Sequence, residues 1–525
     1  MLINFKRFCR LLPKASVLTA LILSGCMVGP DFNRPETKLS SEWQTEKPGE
    51  FTAAVEVVRN AQINPVRWWE SFNDPTLNRL LAIAAKQNLT LQVAALRVYE
   101  TRAQLGVSEG TLLPNVNLAG MVQTERYGGS GGDGISIQSI NVRNVLINAS
   151  WEIDFWGKFR RGIESSQATY LVAVTAYYSA DVSLAANVAN TYINIRNNES
   201  LIQVALTNLA LQAESLRIAK ARYEAGATSL LDLSQAQSQY EQTKSEVPGL
   251  ISSLRQAQNA MSVLLGQPPP YYVLEFGQSL TQPSPPKSLD VGIPQDLLRR
   301  RPDVLQAEYL AASRSALIGV SEAALYPSFS LSGYFGLQSG SIDTTDGTFT
   351  WSGSNSSIGA SFLFPVFYRG TLVQQVRVQD AIFQQSILNY QNVVLNAQRE
   401  VQDALSVIST SQSSSTDLAR AVTAAQQAAS LALERYISGQ NDYNTVIVAQ
   451  QALQRVQNAS VQSQTSTLLG YVAAFKSLGG GWSGDMTLPV LPAEMVATMT
   501  QRTDWGDALS STSDPRMVST SEPKP

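Results

Sequence analysis

The sequence predicts a mainly α-helical chain with a β-barrel part, built as two tandem repeats that each hold long helices and one β-hairpin. Three observations predict it: a constant internal offset of 213 residues, long stretches with apolar residues at helical spacing, and short regions where the period changes to two. Composition agrees, because only 15% of the 525 residues are charged, against roughly 25% in an ordinary soluble domain. That balance suits long interfaces wetted on one side. The chain has no histidine, which excludes a His-assisted nucleophile, a His general base and the commonest metal ligand. Its two cysteines, Cys9 and Cys26, are too few for a zinc cage or a disulfide framework. A formal charge of −3 with no basic stripe argues against a nucleic-acid partner.

Residues 1–25 read as a secretory signal peptide. Lys6, Arg7, Arg10 and Lys14 precede the apolar stretch Ala15 to Leu23 and then Ser24-Gly25-Cys26. This ending resembles a bacterial lipobox, which makes Cys26 the lipid-attachment residue and the first residue of the mature chain. The implied modification is a diacylglycerol on the thiol and an N-acyl chain on the new amine; no other cofactor is expected. Several acyl chains give a stable anchor where one is reversible. Loss of the leader leaves 35 basic against 42 acidic residues, a net charge of −7. No other stretch reaches the roughly 18 apolar residues of a spanning helix, so a membrane crossing must use strands.

The repeat runs through nearly the whole mature sequence. Gly106-Val107-Ser108-Glu109 returns as Gly319-Val320-Ser321-Glu322, and Arg222-Tyr223-x-x-Gly226 returns as Arg435-Tyr436-x-x-Gly439. Pro114, Leu118, Gly120 and Gly266 return as Pro327, Leu331, Gly333 and Gly479. The organisation that follows is an N-terminal segment over 26–73, a first repeat over 74–266, a Pro-rich connector over 267–300, a second repeat over 301–480 and a tail over 481–525, its last fifteen or so residues expected to be disordered.

Within a repeat, Leu77, Leu80, Leu81, Ala84, Leu91, Ala94, Ala95 and Val98 predict one helix from Pro75 to about Gly110, with Asp74 as its N-cap. Further helices are predicted from about Gly162 to Gly226 and from Leu230 to Leu265, with Pro248 expected to kink or break the latter. Their apolar stripes are thin, so they need neighbours on both sides. Strands are predicted after Pro114 and over 144–154, where Val145, Ile147, Ala149, Trp151 and Ile153 share one face, with Gly128 to Gly134 as the loop between them. Phe329, Leu331, Phe335 and Leu337, then Ile358, Ala360, Phe362 and Phe364, repeat the pattern. Four strands cannot close a barrel, and open edges are not tolerated in hydrocarbon. The strands must therefore come from several chains, apolar face to lipid and polar face to a watery lumen.

Several motifs carry a family resemblance: Cys26-Met-Val-Gly-Pro-Asp-Phe-Asn-Arg-Pro35, Trp68-Trp69-x-x-Phe72-x-Asp74-Pro75-x-Leu77, Asp154-Phe155-Trp156-Gly157, Arg301-Pro302-Asp303-Val304, the two Arg-Tyr-x-x-Gly turns and Leu265-Gly266. Over residues 26 to 480 the chain resembles the outer-membrane factor family, the TolC-like and OprM-like ducts, and within it the NodT-type lipoproteins of RND drug-efflux systems. The resemblance implies a homotrimer whose twelve-stranded outer-membrane β-barrel continues into a periplasmic α-helical barrel. It also implies a passive exit duct, not an enzyme, in the outer membrane of a Gram-negative bacterium, lipid-anchored and extending into the periplasm. Its partners would be outer-membrane lipid, a periplasmic adaptor and an inner-membrane pump of RND type. A type I protein-secretion duct and a structural periplasmic lipoprotein are the alternatives.

By the same resemblance, Arg222, Tyr223 and Gly226 with Arg435, Tyr436 and Gly439 mark the adaptor-docking tips. Asp232, Asp442, Tyr443, Asn444 and Val448 mark the periplasmic constriction. Val448 stands at the family's main acidic position, so the expected gate closes mainly by packing and amide contacts around Tyr443, Asn444 and Val448, with little cation-binding character. No metal site is expected.

Overall fold

A computed structural model describes residues 27–37, 57–58, 65–128, 137–276, 282–286, 289–290 and 300–509. The leader, Cys26, most of the Gly128 to Gly134 loop and the last residues of the tail lie outside them. Helix α1 (Pro75–Gln87) starts where predicted. The Asp74 carboxylate accepts from the N–H groups of Thr76 (2.8 Å) and Leu77 (3.1 Å), and Pro75 occupies the first turn, where its missing N–H costs nothing. The expected single helix to Gly110 is two, because Asn88 turns to extended backbone and caps a new one. Its side chain accepts from the Leu91 N–H at 2.9 Å and donates to the Leu264 carbonyl at 2.9 Å. Short amide side chains compete with helical hydrogen bonds in this way.

The chain continues through α2 (Leu89–Gly110), β1 (Asn115–Arg126), β2 (Ile137–Ile153), α3 (Lys158–Glu224) and α4 (Leu230–Leu264). The second repeat supplies α5 (Pro302–Ala323), β3 (Ser328–Thr344), β4 (Gly347–Leu363), α6 (Arg369–Ile437) and α7 (Tyr443–Ser477). The repeat fixes helix boundaries to the residue: α2 and α5 both have 22 residues, α4 and α7 both have 35, and each pair starts 213 residues apart. At 67 and 69 residues, α3 and α6 are each about 100 Å long. Of the expected kink or break at Pro248, the break does not occur, and α4 runs through the proline. Pro248 and Lys244 are exposed, so the Lys244 carbonyl that Pro248 cannot serve is open to water.

The chain divides into two compact units. The first holds residues 1–35, 100–172 and 307–389 and is organised on an antiparallel four-stranded meander in the order β1-β2-β3-β4. Register places Leu118, Ile147 and Phe335 in one row, Val116, Ala149, Gly333 and Ile358 in the next, then Trp151, Leu331 and Ala360, then Ile153, Phe329 and Phe362. Most of these side chains are bare: Leu118, Phe335, Ile358 and Phe362 are 72, 62, 81 and 73% exposed. The opposite face carries Asn117, Asn148, Tyr334 and Ser357 in one row and Ser150 and Ser332 in another.

The segment after Cys26 is held to this unit by the buried Arg161 on α3. Its guanidinium donates to the carbonyls of Val28 (3.1 Å) and Gly29 (2.9 Å) and to Asp31 Oδ1 (2.8 Å). Arg34 pairs with Glu308 at 2.7 Å. The Asp154-Phe155-Trp156-Gly157 motif is the N-terminal turn of α3: Asp154 accepts from the N–H groups of Phe159 (3.1 Å) and Arg160 (3.0 Å), and Trp156 Nε1 donates to the Pro327 carbonyl at 2.8 Å.

The second unit holds residues 36–99, 173–306 and 390–525. Its core gathers Leu77, Leu80, Val188, Tyr192, Met261, Leu265, Val401, Ile408 and Val472. Trp68 stacks on Phe475 at 5.2 Å and meets Trp69 and Phe72 edge-on. Arg301 is buried where it donates to the Ser477 carbonyl (2.8 Å), Asp303 (2.7 Å) and Glu400 (2.8 Å). The Trp-Trp and Arg-Pro-Asp motifs are thus core and cap. The connector is less extended than its prolines imply, since Tyr271–Phe276 is helical and Tyr272 is fully buried, while Leu289–Asp290 pairs in parallel with Val57–Val58. The expected disorder of the last fifteen or so residues falls outside the described residues, but the tail before them holds a helix that the sequence did not predict. That helix, α8 (Ala493–Arg502), buries Met499 against Ala95, Tyr99 and Leu491.

Candidate functional site

The turns that join α3 to α4 and α6 to α7 lie together in the second unit. Each long helix ends in the same double cap. The Ala227 N–H reaches the Arg222 carbonyl (2.8 Å) and the Gly226 N–H the Tyr223 carbonyl (2.9 Å); Gln440 and Gly439 repeat this onto Arg435 (2.8 Å) and Tyr436 (3.0 Å). This arrangement requires a left-handed residue, and Gly226 and Gly439 supply it with φ of +69° and +76°. Neither glycine is crowded: a Cβ on Gly226 would meet nothing within 4 Å, and one on Gly439 only Arg222 Nη2 at 3.6 Å. The following helices start on Ser229 and Asp442, whose side chains accept from the N–H groups of Asp232 and Thr445.

The two turns are equivalent in sequence but not in contacts. Arg222 crosses to the second turn, donates to the Tyr436 carbonyl and to the Ile437 carbonyl (2.9 Å), and lies over the Tyr436 ring at 4.8 Å. Arg435 is exposed, and its guanidinium makes no hydrogen bond or ion pair among the described residues. Tyr436 is buried edge-on against Tyr443 at 5.1 Å, and its hydroxyl donates to Asp232 Oδ2 at 3.5 Å; the Thr228 hydroxyl donates to the same oxygen. Ala219, Ala236, Ala432 and Val446 close a small apolar cluster around the two rings. Burial raises both phenols, Tyr443 to about 12.

Of the predicted constriction residues, Asp232 and Tyr443 thus share one cluster with Arg222 and Tyr436. Asn444, Val448 and Asp442 are exposed on α7 and at its start, outside it. Tyr223 is also exposed. Below the tips, α7 is tied to α3 and α4 by amides: Gln450 donates to Ser215 (2.8 Å) and Gln451 to Gln239 (2.7 Å), and Gln457 accepts from Asn208 (2.7 Å). The Arg222 cross-link was not legible in sequence, where Arg222 and Arg435 look alike. A second unforeseen feature had a signal. Asp181 occupies the apolar stripe with Val174, Tyr177 and Leu184, and lines a 240 Å³ pocket with Trp69, Asn78 and Gly481. Burial pushes its carboxyl up to about 6.

A sheet with a bare apolar face, joined along the chain to helices of this length, is the architecture of an outer-membrane channel subunit. Two blocks, residues 80–267 and 293–480, match the profile of one family, described as outer membrane efflux protein. The chain belongs to that family. It is 28% identical over 467 residues to nodulation protein T of Rhizobium leguminosarum bv. trifolii, covering 88% of this chain and 96% of that one. It is 29% identical over 483 residues to the toluene efflux pump outer membrane protein TtgF of Pseudomonas putida, covering 90% and 98%. The outer-membrane channel OprN superposes with a TM-score of 0.75 at 29% identity, over 87% of this chain and all of that one.

Proposed function

We propose that this protein is the outer-membrane exit duct of a tripartite efflux system. It passively conducts small molecules delivered by a periplasmic adaptor and an inner-membrane pump of RND type. The observation that carries this reading is the bare apolar face of β1 to β4, which needs hydrocarbon on one side and leaves two strand edges to be closed. Three chains supply twelve strands, an even number within the range of closed outer-membrane barrels. The opposite face, rich in small and amide side chains from Asn115 to Asn144, then lines a wet lumen that solutes pass without binding. The acyl anchor on Cys26 belongs to the same reading, supported by Arg161, which fixes Val28 to Asp31 next to that residue.

The paired turns serve as the periplasmic end. Gly226, Gly439, Tyr223 and Arg435 face outward, where an adaptor's backbone can approach closely. The Arg222–Tyr436–Asp232 cluster, with Tyr443, holds the two turns of one chain together, and the exposed Asp442, Asn444 and Val448 are left to meet neighbouring copies at the constriction. Names of relatives such as the toluene efflux protein support a small-molecule cargo. The test is in-cell cross-linking of the tagged protein with mass spectrometry of what co-purifies, together with planar-bilayer conductance of the purified chain. An adaptor with a proton-driven pump, and ion-conducting trimers, are the expected results. An ATP-driven exporter of proteins would replace the small-molecule reading, and a non-conducting monomer would refute the duct.

A further inference from the structure

The apolar face of the sheet does not stay apolar along its whole length. From Ile153 to Val145 on β2 every residue on this face is apolar, a stretch that falls within the roughly 9 to 11 residues with which a tilted strand crosses the hydrocarbon of a membrane. The next row toward the hairpin turns is Val122, Arg143, Ser339 and Ser352. Above it come Thr124, Asn141, Ser341 and Thr350, then Arg126, Ser139, Asp343 and Thr348. The Thr124 hydroxyl donates to Asn141 (2.8 Å), and Asn141 donates to Ser341 (3.0 Å), so these side chains share the face.

Charge is sorted between the two faces. Arg126 and Arg143 point to the apolar side, whereas Glu125 and Glu152 fall on the polar side by register. Both arginines are exposed, and among the described residues neither has an ion-pair partner. Among the described strand residues the one carboxylate on their side, Asp343, is already served by Ser139 (2.5 Å), Thr348 (2.8 Å) and Asn141 (3.4 Å). Two unpaired cations bordered by hydroxyls and an amide, just beyond a band of hydrocarbon width, match the chemistry of a phosphorylated lipid headgroup.

We propose that Arg126 and Arg143 form a binding surface for the phosphates of the outer-leaflet glycolipid. The proposal rests on the reading that the apolar face meets lipid. The strand ends that join the helices then face the periplasm, and the hairpin turns, with this polar collar, face the outer leaflet. The backbones of the two arginines are about 14 Å apart, so they engage two phosphates rather than chelating one.

The full chain, purified in a non-ionic detergent, is titrated with bisphosphorylated lipid A and separately with phosphatidylglycerol, and bound lipid is counted by native mass spectrometry. Each of Arg126→Gln and Arg143→Gln should weaken lipid A about fivefold and the pair about thirtyfold, with Arg143→Lys restoring most of the loss. Added salt should weaken binding to the wild type more than to the double variant. Arg420→Gln, on an exposed helix face, should change nothing. Equal lipid A affinity in wild type and double variant overturns the site, and equal losses for lipid A and phosphatidylglycerol overturn its assignment to the glycolipid. Flotation of every variant with lipid vesicles checks the underlying reading: a chain that inserts yet shows no arginine dependence refutes only this site, while one that fails to insert refutes both.

Discussion

Replacing Arg222 with alanine separates two residues that the repeat makes look identical. In the native tip its guanidinium donates to the Tyr436 and Ile437 carbonyls and covers the Tyr436 ring at 4.8 Å. A charged donor shared between two carbonyls contributes about 2 kcal/mol and a partly exposed cation–π contact about 1 kcal/mol. Against this, Arg222 Nε is buried without a partner, which costs about 1 kcal/mol. The net of about 2 kcal/mol holds the end of α6 to the end of α3, and its loss shifts any equilibrium that separates the two turns about thirtyfold. In planar bilayers Arg222→Ala should raise the open probability of single channels by that order. Hydrogen exchange should quicken at the amides of 436–443 while the sheet amides are unaffected. Arg435→Ala, which removes no side-chain hydrogen bond or ion pair among the described residues, should do neither. Equal effects of the two substitutions, or none from either, would refute the cross-link as the element that holds the two turns together.

Three further outcomes test the packing. Gly226→Ala should cost only the left-handed backbone penalty of about 1 kcal/mol, because its Cβ has open space. Gly266→Ala adds a Cβ 2.2 Å from the Gln87 carbonyl oxygen and should cost about 3 kcal/mol in thermal denaturation. Asp181 has a carboxyl pushed up by burial, so the unfolded chain ionises first as pH rises. Wild-type stability should therefore fall relative to Asp181→Asn from about pH 4 to pH 6 and stay level above, leaving the variant more stable by up to about 3 kcal/mol at pH 7 in urea titrations. Phe335→Arg, in the middle of the bare face, should impair vesicle insertion by about 2 to 4 kcal/mol, whereas Tyr334→Arg, on the polar face, should insert normally and alter conductance.

Much of this architecture could be read without coordinates because the repeat and the two periodicities are local. Pro75 and Asp74 announce α1, and alternation announces the strands. Asn88 could not be read as a break, because its value there depends on the Leu264 carbonyl arriving from 176 residues away. Pro248 did not break α4, because one missing hydrogen bond on an exposed face is tolerated in a helix held along its length by other contacts. The tail helix was missed because its apolar contacts are few and distant, Ala95 and Tyr99 among them. At the tips, sequence supplied Arg222, Tyr436, Asp232 and Tyr443 but neither Thr228 nor the sidedness of the cluster. Tyr443 and Val448 are five residues apart on one helix, which places them on different faces, yet no local pattern says which face turns toward Tyr436.

The tandem arrangement itself has a mechanical consequence. A ring assembled from copies of a single repeat would carry one kind of turn, and any substitution would alter every position around the circle at once. Joining two copies in one polypeptide releases them from that constraint. Arg222 has become a fastening within the chain, while its counterpart Arg435 remains an open hand on the surface. The two turns of one chain can therefore differ in duty, one tied down by its own side chain and the other left with a free guanidinium at the surface.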